Sequence, residues 1–246
     1  MQIPDHPGHL EYREGQPDAG HCKVLPPCAI IAPVKTRIMK SNQEGIEAAG
    51  EILRRGGIVA FPTDTVYGLG AVYSDAQAVR KIFSAKGRPE EKPLSILVSS
   101  IQQVQLLADG ISDDARLLMD TYWPGGLTLI FRMKQEAGIP REVSAGGETI
   151  GIRMPDSDTA IRIIAEAGAP VAAPSANLSG RRSASTAEEV KEDLLGRVDL
   201  IIDGGRCPVG VSSTVLDLSQ GRIRILREGS ITEAMIRDTL ERRRSS

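Results

Sequence analysis

Apolar residues spaced three and four positions apart predict seven amphipathic helices along the chain. Three of these helices follow a capping box, in which a Ser or Thr precedes a Glu by three positions and satisfies free backbone N–H groups. The boxes pair Ser41 with Glu44, Thr186 with Glu189 and Ser230 with Glu233. The predicted helices span residues 44–55, 74–84, 101–108, 113–122, 159–167, 188–195 and 233–243.

Short apolar runs between the helices predict buried β-strands. They lie at residues 58–61, 94–98, 127–132, 149–154, 171–173, 198–203, 213–218 and 223–226. Strands and helices interleave without strict β-α-β alternation. The fold class is therefore α/β, with a mixed sheet and helices packed against it.

The first 40 residues differ from the rest of the chain. They contain all three His, two of the three Cys and six of the 15 Pro, and they show no periodicity. We predict an irregular N-terminal extension over residues 1–40 and a single domain over residues 41–246. The His and Cys spacing in the extension fits no zinc template, so no metal site is expected there.

Composition excludes several classes of protein. With 41% hydrophobic and 25% charged residues, the chain of 246 residues can bury a core and is neither disordered nor collagen-like. No apolar run approaches the roughly 18 residues of a membrane span, and the N-terminus lacks a signal-peptide pattern. Three Cys are a sparse, odd number that favours reduced thiols. These features predict a soluble, cytoplasmic protein without a membrane partner.

Four polar loops carry the candidate chemistry. They are FPTDTVYGLG (61–70), AKGRPEEKP (85–93), VAAPSANLSGRRS (171–183) and GVSSTVLD (210–217). Each of them adjoins a predicted strand, and α/β proteins bind ligands at strand ends. Lys86, Arg88 and Lys92 recur within the second loop and suit a polyanion such as a triphosphate. An ordinary turn and a solvated charged loop are the alternative interpretations of the first and second loops.

Two single arginines and several missing motifs narrow the chemistry further. Arg153 and Arg227 each stand near a predicted strand end, where a guanidinium can clamp a carboxylate or phosphate or form a structural ion pair. The chain has no phosphate-binding GxxxxGK[ST] loop, no HExxH and no GxSxG. Because no His lies beyond position 21, His-based acid–base catalysis within the domain is excluded. The remaining hydroxyls, cations and glycines favour a site that positions and neutralises its ligands and forms no covalent adduct with them.

Five motifs together resemble one known family. FPTDTVYGLG, KGRP…KPL, APSANLSG, SSTVLD and LREG occur in the order and spacing of the YrdC/Sua5 family of threonylcarbamoyl-AMP synthases, over about residues 43–240. The resemblance implies an open, twisted sheet with a positively charged cavity. It also implies a nucleotidyltransferase that condenses L-threonine, bicarbonate and ATP, with Mg2+, into L-threonylcarbamoyladenylate and pyrophosphate. A partner system would then transfer the threonylcarbamoyl group to adenosine 37 of tRNA, giving t6A.

The resemblance further implies roles for individual residues. The residues expected to bind L-threonine are Thr65, Arg153 and Ser213, with Thr63 as a weaker candidate. The residues expected to bind ATP are Lys86, Arg88, Lys92, Thr149, Ser175, Asn177, Ser183 and Arg227, and Lys86 and Arg88 are also the expected catalytic pair. Leu97 stands where some members have a His, which argues against an essential proton transfer at that position. Since the chain ends at Ser246, the single-domain form of the family is expected.

Two alternative functions accompany this interpretation. A hydrogenase-maturation carbamoyltransferase contains a related domain, but that protein is much longer and has zinc fingers that this sequence lacks. A paralogue without synthase activity could instead bind double-stranded RNA or assist ribosome maturation. Basic groups exist for such a role at residues 181–182, 222–227 and 242–244. A net charge of −2 nevertheless favours a solvated surface with at most weak RNA binding.

Overall fold

The computed structural model describes residues 34–220 and 223–244. The strands within this part are β1 (Arg37–Lys40), β2 (Val59–Phe61), β3 (Gly68–Val72), β4 (Ile96–Leu97), β5 (Leu127–Arg132), β6 (Thr149–Arg153), β7 (Val171–Ala172), β8 (Leu200–Asp203), β9 (Thr214–Asp217) and β10 (Arg224–Arg227). The helices are α1 (Gln43–Arg54), α2 (Ala76–Lys86), α3 (Ile101–Leu107), α4 (Asp113–Tyr122), α5 (Arg141–Ser144), α6 (Asp158–Ala167), α7 (Ala187–Leu194) and α8 (Glu233–Arg244). A 3-10 turn covers Gln135–Ala137. The helices of the described part are too short or too polar to cross a membrane.

The strands form one open sheet in the order β1-β8-β2-β3-β7-β4-β6-β5-β9-β10. Four neighbouring pairs are parallel, namely β1 with β8, β2 with β8, β4 with β6, and β5 with β9. The other five pairs are antiparallel. The predicted mixed α/β sheet with flanking helices is therefore confirmed.

Apolar side chains cover both faces of the sheet. On one face α1 and α6 pack together around residues such as Leu53 and Ile163. Their contact is close, since a Cβ on Gly50 would lie 2.4 Å from the Cβ of Glu166. A larger cluster covers the other face and includes side chains from α2, α3, α4, α7 and α8. The two clusters thus remove most of both faces of the sheet from water, as the continuous apolar sequences of the strands require.

Two strands were not predicted from the sequence. Residues 37–40, which the sequence assigned to an irregular extension, form the edge strand β1 beside β8. The strand has only four residues, and its Ile38 is half exposed. The sequence therefore shows no alternation of buried apolar and exposed polar positions there. Strand β3 lies in and beyond the loop 61–70, and its glycines weaken any strand signal. Gly70 is required there, because a Cβ would lie 2.6 Å from Val171 and 2.7 Å from Phe61.

The capping predictions were partly correct. Thr186 accepts from the backbone N–H of Glu189 and caps α7 as expected. At α1 the cap is Asn42 in place of Ser41, whose hydroxyl instead bonds Thr159. The prediction of an irregular extension without a metal site falls largely on residues 1–33, which lie outside the described residues.

Candidate functional site

A cavity of about 330 Å³ opens on the sheet where the four polar loops converge. Strands β5 and β6 form part of its wall, and the segments that follow β2, α2 and β7 and that precede β9 enclose it. The expected site residues that line it are Thr65, Arg88, Thr149, Arg153, Ser175, Ser183, Ser213 and Arg227, with Thr63 and Leu97 beside them. Residues from distant parts of the chain therefore meet as the motifs predicted. Leu97 offers no proton-transfer group there.

Three arginines give the cavity its charge. Burial lowers the pKa of Arg88, and the nearby charge of Arg227 lowers it further. Burial also lowers the pKa of Arg153, although the carboxylate of Asp64 opposes that shift. Guanidinium groups remain protonated in proteins, so these are like charges held together at the cost of mutual repulsion. A ligand with several negative charges relieves that repulsion, which makes a polyanion the best-suited occupant.

Arg153 is fixed by three protein acceptors. Its Nε donates to the carbonyl of Gly125 at 2.8 Å, and its Nη1 donates to Thr65 Oγ1 at 2.8 Å. Its Nη2 forms an ion pair with Asp64 Oδ1. Arg153 therefore makes a structural ion pair and also lines the cavity, and its role as a clamp for a carboxylate or phosphate stays a prediction.

The two threonines of the first loop have a defined hydrogen-bond direction. Thr63 Oγ1 lies 2.7 Å from the carbonyl of Val66 and donates its single proton there. In the 3.1 Å contact between the two hydroxyls, Thr65 is therefore the donor. Thr63 Oγ1 also accepts from the backbone N–H groups of Thr65 at 3.2 Å and Val66 at 3.3 Å. Thr65 also accepts from Arg153, which leaves it one further lone pair. Thr65 thus presents an acceptor to the cavity and suits a ligand that donates, such as an ammonium.

Lys86 does not line the cavity. Its side chain is buried, and its Nζ donates to the carbonyls of Ser175 and Asn177. The carbonyl of Lys86 in turn accepts from Ser179 N at 2.8 Å. Burial and the charge of Arg88 lower the pKa of Lys86 to about 8. The structure therefore places this expected catalytic residue beneath the loop that follows β7.

Asn177 also supports that loop from within. Its Oδ1 accepts from the Ser175 hydroxyl, and its Nδ2 donates to the carbonyls of Leu178 at 2.8 Å and Arg181 at 2.9 Å. Asn177 is buried and does not line the cavity, whereas Ser175 and Ser183 do. The amide organises the turn, and the two serines face the ligand space.

The cations Arg88 and Lys92 of the second loop lie in different surroundings. Arg88 Nη2 donates to the carbonyl of Pro93 at 2.9 Å, and its Nε lies 3.3 Å from the carbonyl of Lys92. These contacts fix the guanidinium at the cavity wall. The Lys92 side chain is exposed and does not line the cavity.

Strands β9 and β10 complete the site. Arg227 donates to the Ser213 carbonyl through Nε at 3.1 Å and through Nη2 at 2.9 Å, and Ser213 Oγ lies 2.8 Å from Thr128 Oγ1. The pairing register shifts between Ile225 and Arg227, so Leu226 has no partner on β9. Side chains normally alternate between the faces of a strand, and such a bulge re-aims them. Leu226 and Arg227 consequently both line the cavity.

Asp64 was missed as a site residue by sequence reasoning. It was noted only as part of the first loop, since nothing local to the motif identifies its partner. Arg153 lies 89 residues further along the chain. Within the described residues, no group of three or more His, Cys, Asp or Glu could hold a metal ion. Cys207 lies buried with a free thiol, and burial raises its pKa to about 11.

This fold and cavity define an open-sheet α/β protein suited to a polyanionic ligand. Residues 51–229 match the Sua5/YciO/YrdC family model, which is described as telomere recombination. The chain therefore belongs to the Sua5/YciO/YrdC family.

Individual relatives agree with this assignment. The chain is 47% identical to a threonylcarbamoyl-AMP synthase of Bacillus subtilis strain 168, over 80% of this chain and 57% of the relative. The structure of Pyrococcus abyssi Sua5 complexed with L-threonine matches with a TM-score of 0.79 and 40% identity, over 84% of this chain and 60% of that one. Escherichia coli YciO matches with a TM-score of 0.69 and 29% identity, over 81% of this chain and 97% of that one. The chain spans somewhat more than half the length of the curated synthases that it matches first.

Proposed function

We propose that the chain is an L-threonylcarbamoyladenylate synthase. It would convert L-threonine, bicarbonate and ATP into L-threonylcarbamoyladenylate and pyrophosphate. The observation that carries the proposal is the meeting of Arg88 and Arg227 with Arg153 and Thr65 in one cavity. Arg88 and Arg227 suit phosphates, while Arg153 and Thr65 suit an amino acid. The 47% identical relative carries the same activity in its name.

The nucleotide would occupy the side of the cavity near Arg88 and Arg227. Both guanidiniums are held by backbone carbonyls, so they would meet phosphate oxygens without first being ordered. The hydroxyls of Thr149, Ser175 and Ser183 face the same cavity and would bind the remaining polar atoms of the nucleotide. Lys92 stays a predicted contact that would have to reach the nucleotide from an exposed position.

Lys86 and Asn177 would act on the nucleotide through the loop that follows β7. Lys86 binds two carbonyls of that loop, and Asn177 spans its turn. Both side chains would therefore keep Ser175 in place in the cavity wall. This supports a positioning role for Lys86 where the resemblance implies contact with the phosphates.

L-Threonine would bind at Arg153, Thr65 and Ser213. Arg153 keeps two of its five N–H groups free of protein acceptors and would receive the carboxylate. Thr65 offers an acceptor to the amino group. Ser213 lies beside Arg227, between the amino-acid and phosphate ends of the cavity. The P. abyssi protein was crystallised with L-threonine, which supports an amino-acid substrate for this chain.

The proposed chemistry needs positioning and charge neutralisation only. The neutral threonine nitrogen attacks the carbon of CO2 and loses a proton to water, forming an N-carboxylate. If bicarbonate is the carbon source, the same N-carboxylate forms and one molecule of water leaves. A carboxylate oxygen then attacks the α-phosphorus of ATP in line, and the bond to the β-phosphate oxygen breaks as pyrophosphate leaves. Arg88 and Arg227 would stabilise the charge on the phosphates. No residue forms a covalent adduct in this scheme.

Mg2+ would accompany the nucleotide. The described residues build no metal site of their own, and Asp64, the carboxylate beside the cavity, is committed to Arg153. Mg2+ commonly keeps its waters and is held through substrate phosphates. The ion is therefore assigned to ATP, and no step above depends on a protein ligand to it.

The proposed product is an activated acyl group that a second system must consume. We assign that role to the machinery that forms t6A in tRNA. The RNA-binding alternative receives less support from the structure, because Arg181, Arg242 and Arg243 are each paired with a carboxylate. It stays a prediction that salt-dependent RNA binding would test.

The decisive experiment is pyrophosphate release from ATP by the purified chain. L-Threonine, L-serine and no amino acid are compared, each with and without bicarbonate. We expect release that requires both L-threonine and bicarbonate and is abolished by Arg88→Ala. Arg37→Ala, at the far edge of the sheet, is the matched control and should retain activity. Absence of release from a chain that still binds ATP would refute the synthase assignment.

A further inference from the structure

A buried carboxylate sits behind the arginine assigned to the substrate carboxylate. The side chains of Asp64 and Arg153 are 9% and 7% exposed, and they form an ion pair. Arg153 lines the cavity, whereas Asp64 does not. Among the cavity-lining side chains, the one that the Asp64 carboxylate bonds is Arg153.

Asp64 is itself held firmly in place. Its Oδ1 also accepts from the backbone N–H of Asp156 at 3.2 Å, just after β6. Its own carbonyl accepts from Val209 N at 3.0 Å, and the next carbonyl, that of Thr65, accepts from Gly210 N at 2.9 Å. The carboxylate is thus bonded to the segment after β6, and the backbone around it is bonded to residues 209–210. Because the position of Asp64 is fixed, its carboxylate can orient the Arg153 guanidinium.

The other contacts of Arg153 do not replace this anchor. The acceptors at Nε and Nη1 are a carbonyl and a hydroxyl, both neutral. A charge-assisted hydrogen bond is roughly twice as strong as a neutral one. Without Asp64, Arg153 would also be a buried cation without a counter-ion, free to turn toward water or toward the phosphates.

We propose that Asp64 is a positioning residue for the amino-acid substrate, because it orients the Arg153 guanidinium toward the substrate carboxylate. This inference rests on the proposed synthase function. It assigns Asp64 to selective use of the amino acid, with no direct part in nucleotide binding. The effect of Asp64 should disappear once Arg153 is removed.

The test is a double-mutant cycle with two readouts. L-Threonine and ATP dissociation constants are measured by calorimetry, and KM and kcat by pyrophosphate release. We expect Asp64→Ala to weaken L-threonine binding by about tenfold or more, with ATP binding unchanged and kcat within about threefold. In an Arg153→Ala background, Asp64→Ala should weaken L-threonine binding no further.

Conservative variants distinguish a loss of L-threonine binding from a loss of folding. Asp64→Glu keeps the charge and should retain most of the affinity for L-threonine. Asp64→Asn keeps an acceptor but loses the charge, and should weaken binding by a few-fold. Asp158→Ala, which removes an 81% exposed carboxylate at the start of α6, is the matched control. Thermal unfolding of each variant separates lost stability from lost binding.

Three results would overturn the inference. They are additive effects of the Asp64 and Arg153 substitutions, equal losses of L-threonine and ATP affinity, and tighter L-threonine binding by Asp64→Asn. The last would mean that Asp64 competes with the substrate for Arg153. If the unmodified chain binds no L-threonine at all, the synthase proposal itself fails, which is a distinguishable outcome.

Discussion

The ammonium of Lys86 at the end of α2 is bonded to the carbonyl of Ser175 in the loop after β7. The same ammonium reaches the carbonyl of Asn177, so a single side chain holds two points of the turn. Asp193 on α7 supports the turn from another side, through the backbone N–H of Leu178 at 2.9 Å. The wall of the cavity is therefore supported by buried charges that do not line it.

The buried ammonium predicts a pH-dependent stability. The folded-state pKa of Lys86 is about 8, below the ordinary lysine value of 10.5. Between these values the unfolded chain binds more protons than the folded chain, so stability rises with pH. Relative to Lys86→Met, the unmodified chain should gain about 2 kcal/mol of unfolding free energy from about pH 7.5 to about pH 9.5.

Urea denaturation at several pH values measures this difference. Lys81→Met, which removes an exposed lysine from the same helix, corrects for the loss of a lysine as such. Parallel stability curves for the unmodified chain and Lys86→Met would contradict the placement of the ammonium.

Loss of Arg153 should affect the two substrates unequally. Arg153→Ala removes a charge-assisted clamp worth about 1.5–3 kcal/mol, so the KM for L-threonine should rise by roughly 10- to 100-fold. The KM for ATP should change little. The variant also strands the Asp64 carboxylate, which should lower stability by about 3–5 kcal/mol. Initial rates and thermal unfolding test both effects, with Arg162→Ala on α6 as control; equal rises in both KM values would refute the assignment.

Thr63 should matter through the direction of one hydrogen bond. Thr63→Val removes the acceptor to which Thr65 donates, so the Thr65 hydroxyl could turn and donate toward the ligand instead. It also removes the acceptor of the backbone N–H groups of Thr65 and Val66. We expect a several-fold higher KM for L-threonine and a stability loss of about 1–2 kcal/mol. Thr63→Ser keeps the hydroxyl and should behave like the unmodified chain. A Thr63→Val enzyme with unaltered kinetics would show that the direction is irrelevant.

Thr214 should be a structural support of Arg227. Its fully buried hydroxyl accepts from Gly229 N at 2.9 Å and from Ile231 N at 3.1 Å, and donates to the carbonyl of Ile231. Thr214→Val leaves these groups without a partner and should cost about 2–4 kcal/mol of stability. A higher KM for ATP should accompany it, because the segment carrying Arg227 loosens. Thr121→Val on the exposed face of α4 is the control, and a destabilised variant with normal ATP kinetics would separate the two effects.

Sequence reasoning was most successful where the signal is local. The apolar runs identified most of the sheet, and the ordered motifs identified the side chains that meet in the cavity, Arg88 and Arg153 among them. It failed at β3, because glycines interrupt the apolar alternation that marks a strand. At Gly70 the ring of Phe61 fills the space that a side chain would occupy.

The direction in which an individual side chain points could not be predicted from the local sequence. Lys86 could face either the cavity or the neighbouring loop, and its choice depends on acceptors 89 and 91 residues away. The partner of Asp64 is equally remote in sequence. Such pairings depend on the path of the whole sheet, so a motif can name a residue correctly and still leave open which group it touches.

The strand order has a consequence for biosynthesis. Strand β7 pairs between β3 and β4, although it follows both of them and β6 in the chain, and β9 and β10 are the last strands to join, beyond β5. A chain emerging from the ribosome already carries Arg88 and Arg153 but cannot assemble the wall between them until β7 has inserted. Pairings of such long sequence separation form slowly. Nascent or truncated chains that end before Arg227 would therefore lack the cavity's third cation.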